Sequence, residues 1–285
     1  MDLPVTRWLH PASLEEAVAL LAASPNARPV AGGTDLVVQL RDGRRHAGEL
    51  VDISHLGLAG IRERDGGIEI GACTPMAEIA SHPAVRRRLP ALAEAAGLVG
   101  AWPIQNRATL GGNLANASPA ADTVPPLMVE EALVSVAGPG GRRTLAVDDF
   151  FLGPGRSALS GDELIVSVFL PQPPAGRVVE RFVKVGPRRE QIIAMVSLAG
   201  RAVVAGDGTL TAIRLALGAV APTPVRARRA EAFLTGRRLN PATVREAVRL
   251  LEFDIAPIDD VRAPAGYRRI AVAVLLDRFL GACRG

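Results

Sequence analysis

Residues 107–122, RATLGGNLANASPAAD, decide how this chain is read. Gly111 and Gly112 sit side by side in a run of small residues that adds Thr109, Asn113, Asn116, Ser118 and one acid, Asp122, and holds no lysine, histidine or cysteine. A segment so poor in reactive side chains does no bond chemistry by itself. It offers backbone, together with hydrogen-bonding groups on short stems. Paired glycines take positive φ without a Cβ penalty, so successive N–H groups can turn toward one point and form a concave nest for an anionic oxygen.

An earlier stretch, VAGGTDL at residues 30–36, has the same grammar: a strand that runs into Gly32-Gly33, followed by the Thr34 hydroxyl. Alone it reads more readily as an ordinary strand-to-helix turn with Thr34 or Asp35 as N-cap. It has neither the G-x-G-x-x-G spacing of a Rossmann turn nor the lysine of a P-loop. Taken together, the two loops can share one pyrophosphate, with Asp122 accepting from ribose or ring N–H groups. A dinucleotide asks for about this arrangement.

Working outward, 285 residues exceed the usual single core and point to two or three modest domains. A chain that is 48% hydrophobic and 22% charged can bury a core, and its 4% aromatic content leaves the apolar work to alanine, valine and leucine. The net charge of +4 supports solubility, and the scarcity of aromatic stacking platforms argues against nucleic acid. Cys73 and Cys283 are the only cysteines and form no CxxC, so this chain alone cannot ligate an Fe–S cluster, and a disulfide between them is not expected. His10, His46, His55 and His82 are isolated along the sequence and read as surface or structural residues, so no metal ligand is assigned. RDGRRHAGE, residues 41–49, reads as a solvated loop, and Trp102, just before the second glycine motif, as a core residue in preference to a contact with the group the motif holds. The first residues resemble no signal or transit peptide, and no apolar window reaches the roughly 18 residues of a membrane span, so a cytoplasmic location is expected.

Ser13 with Glu16 makes an S-x-x-E capping box ahead of LEEAVALLAA. Strands are expected at ARPV and at residues 49–54, then at GIEIGAC from Gly67, after which Thr74 caps a helix with Pro75 at its first position. A single helix is read over RRRLPALAEAAGLVG, residues 86–100. Strands follow at ALVSVAG, RRTLAV and ELIVSVFLP, and LPQPPAGR, residues 170–177, is the strongest linker signal. Beyond it lie three β-rich runs, 178–185, 193–205 and 209–220, the last two joined by the tight-turn pair Asp207-Gly208. Asn240-Pro241 opens one helix, and YRRIAVAVLLDRFLGAC closes the chain as another.

AGGTDL with TLGGNLANASPAAD resembles the paired FAD-binding signatures of the flavin-carrying medium subunit of the molybdenum hydroxylase family, which includes the carbon monoxide dehydrogenase and xanthine dehydrogenase types. The likeness continues through DELIVSVFLP, RFVKVGPRREQIIAMVSLAG and GYRRIAVAVLLDR, and so covers essentially the whole chain. It implies an α+β fold: a two-part FAD-binding domain of the PCMH/vanillyl-alcohol-oxidase type, over 1–56 and 57–173, then a C-terminal flavoprotein domain over 174–285 with a three-stranded antiparallel sheet and helices.

It further implies that Pro29, Val30, Ala31, Gly32, Gly33, Thr34, Asp35 and Leu36 wrap the FAD pyrophosphate. Thr109, Gly111, Gly112 and Asn113 would complete the cradle, Asp122 would touch a polar part of the cofactor and Ile165 would be a backbone or apolar contact. Lys184 would lie near the carbonyl end of the isoalloxazine, where a cation favours the reduced ring. The turn Arg188, Arg189, Glu190, Gln191 reads either as a solvated turn or, by the resemblance, as a border of the flavin with Ile193 packed nearby.

The implied activity is electron transfer from the [2Fe-2S] clusters of a small partner subunit through FAD to an external acceptor, with a large molybdopterin-cofactor subunit choosing the substrate, all in a dimer of heterotrimers. Two rivals stand beside it. A self-contained flavin oxidoreductase would need a tyrosyl or basic group over the ring, and Tyr267, the only tyrosine, falls in the closing helix. A cofactor-free interaction protein would have no need of the intact glycines.

Overall fold

The computed structural model describes residues 5–172, 176–188 and 191–284. Three strands, β1 (Arg7–Leu9), β2 (Ala27–Val30) and β3 (Glu49–Asp52), form a parallel sheet in the order β1-β3-β2. Parallel neighbours need crossovers. Helix α1 (Leu14–Ala23) supplies the first and α2 (Leu36–Arg41) the second. Side chains alternate along a strand, so Val51 meets Ala17, Val18 and Leu21 of α1 while Leu50 meets Leu40 of α2. The Ser13 hydroxyl caps α1 by accepting from the Glu16 N–H at 3.1 Å, but the Glu16 carboxylate returns to the N–H of Ala12 rather than to that of Ser13.

The second sheet is antiparallel, in the order β4-β5-β10-β6-β7: β4 (Ile61–Arg64), β5 (Gly67–Gly71), β6 (Leu133–Gly138), β7 (Gly141–Ala146) and β10 (Leu164–Pro171). A small ribbon, β8 (Phe151–Gly153) with β9 (Arg156–Ser157), precedes β10. Between β5 and β6 the chain makes a helical layer: α3 (Met76–Ser81), α4 (Pro83–Arg88), α5 (Pro90–Gly97), α6 (Trp102–Gln105), α7 (Leu110–Asn116) and α8 (Val124–Val129). Two expectations shift here. Pro75, not Thr74, is the N-cap of α3, because the Thr74 hydroxyl is held by the backbone of Gly60 at 2.9 and 3.2 Å. The single helix over 86–100 is two, broken at Leu89, since Pro90 disfavours helical backbone in the residue before it and starts α5 at its first position.

The C-terminal sheet pairs β11 (Arg177–Val185), β12 (Val196–Val204), β13 (Leu210–Gly218) and β14 (Val225–Arg226) antiparallel. It therefore has four strands rather than the expected three. The added β14 is two residues long, too short to show a period in the sequence. Gly208, at φ +86°, makes the tight turn between β12 and β13.

One face of this sheet sends Phe182, Ala199 and Ala216 into the core beneath α5 and α8, and the other packs on α9 (Arg228–Leu234), α10 (Pro241–Leu251) and α11 (Ala265–Cys283). Gly200 lets the closing helix sit down, since a Cβ there would stand 2.6 Å from the Phe279 ring. Asn240 caps α10, as its spacing before Pro241 predicts, accepting from the N–H groups of Ala242 and Thr243 at 2.9 Å. Cys73 and Cys283 are both buried free thiols.

Candidate functional site

The site lies where the parallel sheet meets the helical layer. Strand β2 delivers residues 31–35 to the start of α2, and this loop faces α7. Residues Pro29 to Leu36 all line one cavity of about 280 Å³, whose other wall includes Thr109, Gly112, Asn113 and Asn116. The two glycine motifs thus converge.

Their approach is close. A Cβ on Gly32 would stand 1.8 Å from the carbonyl oxygen of Arg107, and one on Gly111 would stand 2.8 Å from Cβ of Ala72. Gly33 adopts φ +73°, which glycine alone takes at no cost. Gly112 is different: a Cβ there would meet only the Thr109 hydroxyl, at 3.0 Å, so its bare side opens on the cavity.

Polar side chains tie the walls together. The Gln39 amide of α2 donates to Asn116 Oδ1 at 2.9 Å, and Asn116 Nδ2 donates to Asp35 Oδ2 at 3.2 Å. Gln39 and Asn116 were not among the assigned site residues. Their pairing spans 77 positions and leaves no local signal. Arg45, within the stretch read as a solvated loop, also lines the cavity.

The two motifs differ in what their backbones have left to give. Among the described residues, the N–H groups of Gly32, Gly33, Thr34 and Asp35 donate to no protein acceptor. In α7 the first-turn donors are engaged: Leu110 with the Thr74 carbonyl, Gly111 with that of Ala72, Gly112 with the Thr109 hydroxyl and Asn113 with the Thr109 carbonyl. Free backbone donors are therefore concentrated in the loop after β2. Asn113 Oδ1 accepts from the Thr123 hydroxyl at 2.6 Å, which leaves its amide nitrogen unused by that contact.

Beside the main cavity lies a smaller one of about 100 Å³, mostly apolar, lined by Ile53, Cys73, Gly111, Leu159 and Ile165 among others. Burial pushes the Cys73 thiol up to about 11, so it is a neutral, inert wall. Ile165 of β10 is thus brought to the same region as the glycines.

Asp122 and Lys184 stand apart from both cavities and are paired with each other. Lys184 Nζ donates to Asp122 Oδ2 at 2.6 Å and to the Leu98 carbonyl at 3.0 Å, with side-chain exposures of 3% for the lysine and 9% for the acid. Burial raises the Asp122 carboxyl to about 6 although the Lys184 charge pulls the other way. Its second oxygen, Oδ1, is buried without a partner. Lys184 also lines a wide cleft of about 940 Å³ between α5 and α11, together with Arg86, Arg188 and Arg278.

Arg188 donates to the Gln191 carbonyl at 2.7 Å, and Gln191, at φ +54°, donates its N–H to Gly100. Arg189 and Glu190 lie outside the described residues. Ile193 is 52% exposed. Trp102, expected in the core, is instead 74% exposed at the start of α6. His10 and His55 are not isolated in space: their rings lie 6.2 Å apart, beside Asp52. Parallel pairing of β1 with β3 brings these distant positions together.

With this geometry in place, comparison with known proteins gives a consistent result. Residues 4–173 match the profile of the FAD binding domain in molybdopterin dehydrogenase, and residues 181–283 match that of the CO dehydrogenase flavoprotein C-terminal domain. The xanthine dehydrogenase FAD-binding subunit of Escherichia coli O157:H7 is 33% identical over 259 residues, covering 90% of this chain and 88% of the relative. The carbon monoxide dehydrogenase medium chain of Hydrogenophaga pseudoflava is 33% identical over 286 residues, covering 98% and 97%. A solved structure of that organism's carbon monoxide dehydrogenase, lacking the Mo-pyranopterin moiety of its molybdenum cofactor, contains a chain that superposes with a TM-score of 0.95 at 34% identity, covering 99% of this chain and 98% of that one.

Proposed function

The chain belongs to the molybdenum hydroxylase family as an FAD-binding medium subunit of a multi-subunit oxidoreductase, and from that premise we propose that it passes electrons from a cluster-bearing partner to an external acceptor. The observation that carries the reading is the shared cavity, in which unengaged N–H groups of residues 32–35 face a wall whose Gly112 has no Cβ. A pyrophosphate needs hydrogen-bond donors, and this cavity offers the backbone N–H groups of residues 32–35, while the Asp35 carboxylate that also lines it is engaged by Asn116. Pro29 to Leu36 with Thr109, Gly111, Gly112 and Asn113 are assigned to that cradle, and Ile165 to the apolar recess beside it.

The ring end is assigned to Asp122 and Lys184. Asp122 would touch a polar part of the cofactor, and among the described residues its second oxygen is left without a hydrogen-bond partner. FAD, when bound, supplies the redox chemistry, and the protein supplies binding and electrostatics. Lys184 holds a positive charge at a fixed place, secured by Leu98, while Asp122 offsets part of it. The exposed Ile193 and the turn at Arg188 to Gln191 are assigned to the border of the ring, of which Arg189 and Glu190 lie outside the described residues.

The finer assembly follows from the same reading. By family membership, the partners are a small [2Fe-2S] subunit and a large molybdopterin-cofactor subunit, in a dimer of heterotrimers in the cytoplasm, and the two buried thiols of this chain are consistent with the clusters being carried elsewhere. No helix among the described residues is long and apolar enough to cross a membrane. The FAD-binding part is assigned to the PCMH/vanillyl-alcohol-oxidase type, divided at 56/57, with the C-terminal domain from 174.

The deciding experiment is the visible spectrum of the purified chain, with identification of the released flavin. Bands near roughly 370 and 450 nm from stoichiometric FAD are expected of an oxidised flavoprotein. A colourless chain that takes up no added FAD, alone or with its partner subunits, would overturn the reading.

A further inference from the structure

A second, smaller constellation lies at the C-terminal end of the parallel sheet. His10 follows β1, Asp52 ends β3 and His55 lies just beyond, and ligand atoms of all three fall within 4.8 Å of one another. His10 Nδ1 stands 3.7 Å from Asp52 Oδ2. That is too long for a hydrogen bond. It is close to the spacing of roughly 3.3 Å between neighbouring ligands on a tetrahedral zinc ion with bonds near 2.0 to 2.1 Å.

The groups behind these three hold them as metal ligands are usually held. His55 Nε2 lies 2.8 Å from the Pro11 carbonyl, a contact that places the proton on Nε2 and leaves the Nδ1 lone pair free. Imidazole ligands commonly donate their second N–H to a backbone carbonyl in this way. Asp52 Oδ1 accepts from the Ser54 N–H at 2.9 Å, which orients the carboxylate and keeps Oδ2 toward His10. The His10 side chain is 62% exposed and that of Asp52 20%, so an ion can enter from solvent and His10 can close the remaining distance by a small rotation.

We propose that His10, Asp52 and His55 form a binding site for a divalent transition metal of the zinc type, with water in the fourth position. Two neutral imidazoles and one carboxylate suit zinc, nickel or copper and are poor partners for magnesium or calcium, which prefer all-oxygen shells. The ion would fasten the segment after β1 to the end of β3, one residue before Ile53, which lines the smaller cavity. The site is independent of the cofactor assignment and is tested on the chain alone.

Isothermal titration of the metal-free chain with zinc chloride should show one saturable site, and its affinity should fall at least tenfold in His10→Ala and in Asp52→Asn. His46→Ala, which alters an exposed histidine outside the cluster, should bind as the parent does. Cobalt in place of zinc should give the intense visible bands of a four-coordinate ion in the parent and not in His10→Ala. Absence of saturable one-to-one binding, or equal affinity in His10→Ala, would overturn the proposal. Loss of binding in His46→Ala as well would assign the metal elsewhere and overturn it too.

Discussion

Gly32→Ala is the most direct test of the cradle. The added Cβ would stand 1.8 Å from the Arg107 carbonyl oxygen, 2.6 Å from its carbon and 3.2 Å from the Ala108 nitrogen. All three are backbone atoms at the entry to α7, so no side chain can swing away. To restore a 3.0 Å closest contact, the loop and that backbone must part by about 1.2 Å, the difference between the two distances. Overpacking of this kind costs about 1 to 3 kcal/mol. If the strain falls on the closed cradle, affinity for FAD drops by about 5- to 150-fold at 1.4 kcal/mol per decade. The assay is flavin-to-protein ratio after purification, followed by titration of the stripped protein with FAD, with a circular dichroism melt to confirm that the fold is retained. Gly140→Ala serves as the control, since a Cβ there meets nothing within 4 Å. A folded Gly32→Ala protein that binds FAD as tightly as the parent would refute the placement of pyrophosphate between these two walls.

Two further predictions concern buried charge. Asp122→Asn should raise the reduction potential of bound FAD by unmasking Lys184, and Lys184→Met should lower it, each by about 30 mV if the change in interaction is near 1.4 kcal/mol; spectroelectrochemical titration reads both, and two variants that move together would remove the pair from the ring end. Glu130 of the α8 C-terminus is buried against Glu180 and Arg201, and burial followed by the Glu180 charge raises its carboxyl to about 9. With the folded value above the unfolded 4.5, the stability this group contributes is fully present below about pH 4.5 and is lost as pH rises toward 9. Glu130→Gln, which copies the protonated form, should therefore flatten the decline in urea midpoint between pH 6 and pH 9; an unchanged slope would show that another group titrates there.

Local chemistry was the part legible in the sequence. Asn240-Pro241 caps its helix and Asp207-Gly208 turns its hairpin because each signal is complete within four residues. The glycine pairs were legible for the same reason: a residue without Cβ announces a close approach, although it does not name the atom approached. What escaped depended on distance or on shortness. Gln39 finds Asn116 across two elements, His10 finds His55 through strand pairing, and β14 has too few residues to alternate. Trp102 misled because large aromatic residues are usually buried, and here α6 leaves it in solvent. The break at Leu89 is written in Pro90, which disfavours helical backbone in the residue before it, although the alanine-rich run that follows reads as continuous helix.

The two glycine motifs look alike in sequence and do different physical work. In the loop after β2, Gly33 takes positive φ and the N–H groups around it remain unspent, so this loop can greet an anion with its backbone. In α7 the corresponding donors are already committed to Thr74, Ala72 and Thr109, and the glycines serve fit instead: Gly111 lets the helix press on Ala72, and Gly112 leaves the cavity wall bare. The division predicts an asymmetry. An alanine at Gly112 would crowd only the Thr109 hydroxyl, at 3.0 Å, whereas an alanine at Gly33 must hold φ +73°, a conformation that costs a residue with Cβ about 1 to 2 kcal/mol. The stretch that first suggested a nest of donors is thus the shaped wall, and the shorter motif before it is the nest.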